Sequence, residues 1–301
     1  MTTTDTKLKL HALLGDYPNT RPLKNGTIKS DLLDLDFADV KVVSTAFKPL
    51  VREAKFDMGE LAIVTYLQAK VYGKPYVLIP AVVMGRGQHH TIAYNAERGH
   101  LGPKDLEGRR VGVRAYTVTT GAWIRGILAE DYGVDLDKVR FVTFEDPHVA
   151  EYRDPDFVER APAGKTIVQM LLDGELDAAV LGDTLPDPRL KHLFPDPDAA
   201  ARDWAHRHGG MPLNHMVVIR SELSKSRPDV VKEVFRLLWE SKRAANLPGA
   251  GSALDPLRFG IKPIRRALET IIDYSLRQKL IPRRLAVDEL FDDTTRALST
   301  P

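Results

Sequence analysis

The sequence predicts an α/β protein with largely parallel sheets, built from two similar halves. Strand-like and helix-like segments alternate in both halves of the chain, which is the pattern of helices packed on parallel sheets. One phrase, running helix, acidic or glycine turn, apolar strand, occurs twice, as REAKFDMGELAIV (52–64) and MLLDGELDAAVLG (170–182). The length of 301 residues suffices for two domains or one large bilobal one.

The elements follow in order. KLKLHALL (7–14) alternates and reads as the first strand. GDYPNTRPLKNG (15–26) is dense in turn residues and reads as a loop. VKVVSTA (40–46) is taken as the second strand and FKPLVREAKF (47–56) as a short helix. DMGELAIVTYLQAKVYG (57–73) starts extended and turns helical, with Leu61, Val64 and Leu67/Gln68 at helical spacing. YVLIPAVVM (76–84) and HTIAYN (90–95) are strands. The second half opens with a strand in RRVGVRA (109–115), the loop YTV, and a helix in TTGAWIRGILAEDYG (119–133). KVRFVTF (138–144) is a strand, and GKTIVQMLLDGELDAAVLGD (164–183) reads helix, turn, strand. FPDPDAAARDWAHRHGG (194–210), rich in Pro and Asp, is expected to be a surface connection with His206 and His208 solvated. MVVIRSELS (216–224) is a strand, and residues 227–246 and 263–281 are long amphipathic helices. The first of these has Val231, Val234/Phe235 and Leu238 on one face, and Pro228 near its start, where the missing N–H costs little.

Composition removes several functions. There is no cysteine, which excludes disulfides, thiol catalysis and thiolate metal sites. Forty-three basic against 41 acidic residues give a net charge of +2, too balanced for nucleic acid or a membrane surface to be the main partner. No apolar stretch approaches the roughly 18 residues of a membrane span, and MTTTDTKLKLHALLGDYP lacks the apolar core of a secretory signal. The default expectation is a cytoplasmic protein.

Several constellations carry chemistry. In VGVRAYTVTTGAW a strand ends at Arg114 or Ala115 and a helix starts near Thr119 or Thr120, and Thr is a good N-cap. Free N–H groups at such a start bind carboxylate or phosphate, Arg114 and Tyr116 lie at its mouth, and Gly121 allows close approach to the backbone. Glu60 is expected in a helical first turn, as a base or as a residue matched to the helix dipole. In GRGQHHTIAYN, a strand over 89–94 points His89 and His90 to opposite faces. One metal held by both is thereby disfavoured, and one imidazole is expected to face the site while the other faces solvent. His215 reads as a core histidine or a hinge residue, and Asp183 as a turn residue or a cleft acid.

Three motifs together resemble the 4,5-dihydroxyphthalate decarboxylase family, which uses the two-lobed type II periplasmic-binding-protein fold as an enzyme. YPNTRPLKNG resembles its Tyr-x-x-Thr-x-x-Leu-x-x-Gly, at Tyr17, Thr20, Leu23 and Gly26. KFDMGELAIVTYL resembles its Phe-Asp-x-x-Glu-Leu, at Phe56, Asp57, Glu60 and Leu61. GRGQHHTIAYN resembles its Arg-x-Phe-Arg-His-Ser, at Arg86, His90 and Thr91, and LEGRRVGVRAYTVTTGAWIRGILAEDYGV fits its second-lobe opening. The family has Phe and Arg where this chain has Gln88 and His89, and Ser where it has Thr91. If that arginine holds a substrate carboxylate, a different acid is expected.

The resemblance implies a discontinuous lobe I (residues 1–92 and 205–301), a lobe II (93–204) and a cleft between them. It implies decarboxylation of a hydroxylated aromatic acid with no organic cofactor and no assigned metal, a divalent ion being left open. His90 is then the proton donor or phenol partner, Glu60 the base or the group orienting that histidine, and His215 an outside candidate for the second proton role. Arg86 and Arg114 are carboxylate clamps, the Thr119–Thr120 helix start supplies N–H groups, and Tyr17, Asn19 and Thr20 line the cleft. The expected partner is a small aromatic carboxylate, with neither nucleic acid nor membrane and with a homo-oligomer left open. The rival from another class is a solute-binding protein for a small organic anion, serving an ABC transporter or a sensor. A third reading is a pyrimidine- or thiamine-pathway protein on the same fold.

Overall fold

The computed structural model describes residues 7–300; the first six residues of the stretch read above as free of a secretory signal lie outside them. The first lobe opens with β1 (Leu8–Leu13), α1 (Arg21–Lys24), β2 (Leu33–Phe37), α2 (Phe47–Glu53), β3 (Met58–Ala62), α3 (Ile63–Val71) and β4 (Tyr76–Gly85). The second strand is thus the segment 33–37, not 40–46, where Val43–Ala46 forms a 3₁₀ turn. Leu33, Leu35 and Phe37 alternate with Asp34 and Asp36, so one face can pack inward while the other meets water. Val42 remains 58% exposed, and β-branching alone does not make that segment a strand.

The chain then crosses to β5 (Ile92–Asn95), β6 (Arg110–Val113), α4 (Thr119–Tyr132), β7 (Arg140–Thr143), β8 (Glu159–Arg160), α5 (Ile167–Asp173), β9 (Ala178–Val180) and β10 (Leu190–His192). Residues 89–91 form a 3₁₀ turn before β5, not part of a strand. The expected connection over 194–210 is largely helix α6 (Pro197–His208). Asp196 caps it by accepting from Ala199 N–H, Pro197 opens it, and Gly209 ends it in the left-handed conformation. The buried Trp204 meets Trp123 edge-on at 5.7 Å. His206 is exposed as expected, but His208 is half-buried and stacks on Trp204 at 4.1 Å. The return comprises β11 (Leu213–Arg220), α7 (Ser221–Ser226), α8 (Pro228–Ala245), α9 (Ile261–Arg277) and α10 (Asp293–Arg296).

Two sheets result, ordered β2-β1-β3-β11-β4 and β10-β5-β9-β6-β7-β8. Within each, most helix-connected strands run parallel. The strands by which the chain enters the second lobe and re-enters the first, β5 and β11, run antiparallel to their neighbours. The repeated phrase follows one path in both lobes, α2 to β3 and α5 to β9, although Glu60 stands within its strand and Glu175 precedes its own.

β4 is buried on both faces, as its uninterrupted apolar run implies. Val77, Ile79, Ala81 and Val83 pack with Val230, Val231, Val234 and Leu238 of α8. Leu78 and Val82 face a larger core that runs through α3 and α4 to Ile264, Leu268 and Ile271 of α9. This continuous core joins residues of both sheets. Among the described residues, no helix is long and apolar enough to cross a membrane.

Candidate active site

Glu60 is the deepest charged group of the site. It stands in strand β3, not in a helical first turn, because α3 begins only at Ile63. Its carboxylate is fully buried and accepts three hydrogen bonds. Gly15 N–H donates to Oε2 at 2.8 Å, the Tyr17 hydroxyl donates to Oε1 at 2.7 Å, and His215 Nδ1 lies 2.5 Å from Oε1. A buried carboxylate needs this much compensation. The loop supplying two of the donors depends on Gly15, where a Cβ would fall 2.5 Å from the Tyr17 ring. Burial, then the charge of Glu60 and the bond to it, push the Tyr17 hydroxyl far above its usual range, so it stays a donor.

His215 lies in β11, opposite Ala62 and one diagonal step from Glu60. The β11–β4 pairing slips between Leu213 and Val217, and such irregularities re-aim side chains. A carboxylate only accepts, so His215 donates through Nδ1–H. Its Nε2 is unbonded and not sealed by protein. Phe47 meets the ring edge-on at 5.3 Å.

A second imidazole–carboxylate pair lies across the lobe junction. His90 Nε2 is 2.8 Å from Asp183 Oδ1, leaving Nδ1 unbonded and unsealed. Asp183 stands in a bend after β9 and also pairs with Arg86 Nη1. Burial, then the charge of Arg86, lower the His90 pKa, keeping the ring neutral at neutral pH. Arg86 follows β4 and reaches Thr120 Oγ1 at 3.4 Å, while its buried Nε has no partner. Its guanidinium is therefore incompletely satisfied.

The other expected residues separate into two groups. Thr119 and Thr120 open α4, but Val118 is the cap residue, which frees both hydroxyls to reach across the cleft. Thr119 Oγ1 accepts from Val64 N–H at 3.1 Å, and Thr120 Oγ1 from Asn214 Nδ2 at 3.5 Å. Arg114 is 40% exposed and pairs with Glu145 at 2.9 Å. With Thr120 it lines a hollow of about 640 Å³ walled by Phe144, Ile167 and Val180, in which no histidine takes part. Asn19 and Thr20 are instead spent on the scaffold. Asn19 Nδ2 donates to Val83 O at 3.1 Å, and the Thr20 hydroxyl donates to Gly15 O at 2.6 Å. Gly121 serves internal packing rather than a ligand, because a Cβ there would stand 3.0 Å from both Arg125 Nη1 and Val113 Cγ2. Among the described residues, no group of three or more His, Asp or Glu side chains converges to hold a metal ion.

His89 does not face solvent. Its buried ring packs edge-on against Phe194 at 4.9 Å, and neither nitrogen has a partner. Position 89 is thus enclosed by Phe194 and Tyr132. Its neighbour Gln88 is buried too, donating to Asn214 Oδ1 and to Arg86 O, each at 2.9 Å. His148, which sequence reasoning missed, does reach the site: Nδ1 is 2.8 Å from Thr65 Oγ1, and the ring meets Phe47 edge-on at 5.5 Å.

These two histidines set an acid limit. Burial pushes His89 down to about 4, and burial followed by the charges of Arg114 and Lys48 pushes His148 down to about 3. Both are neutral when folded but bind protons when unfolded. Stability is therefore full above the ordinary value of 6.5 and falls as pH drops through the window towards 4. The expected slope is about 1.4 kcal/mol per pH unit for each ring. Urea midpoints measured between about pH 7.5 and about pH 4.5 should show it, and His89→Phe should remove part of the slope.

Fold and site define a two-lobed protein of the type II periplasmic-binding-protein architecture with an acid–base cleft. The alkanesulfonate-binding protein from Xanthomonas axonopodis pv. citri superposes with a TM-score of 0.63 at 13% identity, covering 95% of this chain and 99% of its own. The desulfurization enzyme DSZB superposes at 0.58 with 13% identity, covering 95% and 97%. No family model matches the chain. The 4,5-dihydroxyphthalate decarboxylase of Comamonas testosteroni is 32% identical over 253 residues, 79% of this chain and 76% of that protein. The enzyme of the same name from Pseudomonas putida is 32% identical over 212 residues, 66% and 81%. The chain belongs to the 4,5-dihydroxyphthalate decarboxylase family, and its reaction class is decarboxylation.

Proposed function

We propose that the protein decarboxylates 4,5-dihydroxyphthalate or a related hydroxybenzoate, using two imidazole–carboxylate pairs set on either side of Arg86. The observation that carries this is the Glu60–His215 pair, a buried carboxylate holding an imidazole whose Nε2 is open. The substrate class is supported by the names of the two relatives.

The reaction needs one proton delivered to the ring carbon that loses its carboxylate and one removed from a ring hydroxyl para to it. His90, neutral and oriented by Asp183, accepts the hydroxyl proton at Nδ1. The resulting phenolate pushes electron density onto the para carbon. His215, protonated from solvent and held by Glu60, gives the Nε2 proton to that carbon, which becomes tetrahedral. The bond to the carboxylate breaks, carbon dioxide leaves, and its electron pair restores the aromatic ring. His90 then returns its proton to the phenolate oxygen, so each turnover consumes one proton from solvent. Arg86 holds a substrate carboxylate that displaces Asp183 from its guanidinium. Every proton step uses side chains of this chain.

A cytoplasmic location belongs to this proposal. It is supported by the decarboxylase kinship and not by the fold, since the structures it resembles include a periplasmic protein. The solute-binding alternative has only that fold likeness behind it. Incubating the protein with 4,5-dihydroxyphthalate in D₂O tests the proposal. Carbon dioxide should be released, and the product should carry deuterium at the vacated carbon. Tight binding without carbon dioxide release would favour the solute-binding alternative.

A further inference from the structure

A separate hollow of about 570 Å³ opens between the end of α8, the loop that follows it and the start of α9. None of the residues assigned to the proton steps lines it. Its lining charge is one-sided: Lys242, Arg258, Lys262 and Arg266 stand against a single acid, Asp255. Asp255 is already spent. Its Oδ2 accepts from Lys242 Nζ at 2.6 Å and from Gly251 N–H at 2.8 Å, and its Oδ1 accepts from Leu257 N–H at 2.8 Å.

Three cations are left over. Arg258, Lys262 and Arg266 make no ion pair with any described residue. The two arginines donate to backbone carbonyls only. Arg258 reaches Gly209 O through Nη1 and Met211 O through Nη2, and Arg266 reaches Arg207 O through Nη2, each at 3.1 Å. A neutral carbonyl satisfies an N–H donor but leaves the positive charge uncompensated. The place makes this costlier. α9 begins at Ile261, so Lys262 stands in its first turn, where there is no acid and where Gly260 offers no side-chain cap. That end of a helix favours negative charge and disfavours cations. Residues that together break a local rule around an open hollow are expected where a ligand supplies what is missing. One wall is apolar and aromatic, with Trp239 tilted against Phe259 at 5.4 Å between ring centroids.

We propose that this hollow is a second ligand site, in which Arg258, Lys262 and Arg266 take a phosphate group. Two guanidiniums and an ammonium suit the several oxygens and double charge of phosphate better than the single charge of a carboxylate. The site lies outside the decarboxylase reading and does not depend on it.

Calorimetry of the intact chain with inorganic phosphate and with phenyl phosphate, at about 0.15 M ionic strength, tests the site. Each should bind saturably, as a single anion per chain. Lys262→Met breaks no hydrogen bond or ion pair with a described residue and should fold normally. It should weaken binding at least about tenfold, and Arg266→Met should do the same. Arg86→Met, which alters the catalytic cleft, should leave phosphate affinity within about twofold. Tighter binding of phenyl phosphate, with a change in tryptophan fluorescence that disappears in Trp239→Phe, would support the site and assign it to an organic phosphate. Equal affinities with the same losses in the variants would support it and assign it to the free ion. No saturable binding, or binding that survives both Lys262→Met and Arg266→Met, would overturn the site. Binding lost only in Arg86→Met would also overturn it, by placing the anion in the catalytic cleft.

Discussion

Replacing His215 by glutamine lowers kcat by about 10²–10⁴, the usual worth of a positioned acid–base group, and leaves KM nearly unchanged. On the proposed route the effect falls on kcat, because His215 gives its proton to a carbon that becomes basic only as the reaction proceeds. On that route Arg86 holds the substrate in the ground state, so binding does not need the imidazole. Phe47 and Glu60 fix the ring from two sides, and glutamine fills similar space without an acidic proton. Arg86→Met provides the contrast: it removes the clamp and should raise KM with a smaller loss in kcat. Initial rates of carbon dioxide release for the two variants, over a range of substrate concentrations, make the comparison. A His215→Gln enzyme with the wild-type kcat would return the carbon-protonating role to His90.

The α/β class was legible because apolar runs such as YVLIPAVVM have few interpretations, and β4 forms where that run lies. The errors have local causes. α6 carries the start and stop signals of a helix in Asp196, Pro197 and Gly209, but its density of Pro and Asp resembles a loop. Its buried face, Trp204 and Ala205, has meaning only against Trp123, some 80 residues earlier in the chain. Glu60 was recognisable as a site residue from its motif. Its partners were not, because a strand glutamate, a loop glycine, a tyrosine and a histidine 155 residues away meet only through sheet order and register. His148 carries no motif at all. Its importance arises where Thr65, Phe47 and Arg52 of one lobe receive a loop of the other. The pairs Asn19–Val83 and Thr20–Gly15 show the converse: motif membership did not reveal that these side chains brace the loop that carries Tyr17.

That bracing makes Glu60 the residue whose loss should damage the protein most widely. Glu60→Ala leaves the Gly15 N–H, the Tyr17 hydroxyl and the His215 Nδ1–H without their acceptor in a fully buried place. Removing one partner from such a network costs about 3–5 kcal/mol, visible as a lower urea midpoint. Glu60→Gln keeps the volume but not the pattern of donors and acceptors. If its carboxamide oxygen faces Tyr17 and His215, its NH₂ opposes the Gly15 N–H. If it is flipped, the NH₂ faces His215 Nδ1, which must then accept, and the ring proton moves to Nε2. Either arrangement misaligns the imidazole, so kcat should fall by about 10²–10⁴ in a protein that still folds. Because Glu60 acts through His215, the double variant Glu60→Gln/His215→Gln should be scarcely slower than His215→Gln alone. Rates for the two single variants and the double variant close the cycle. Full additivity of the two losses would mean that the glutamate touches the chemistry by a route independent of the histidine.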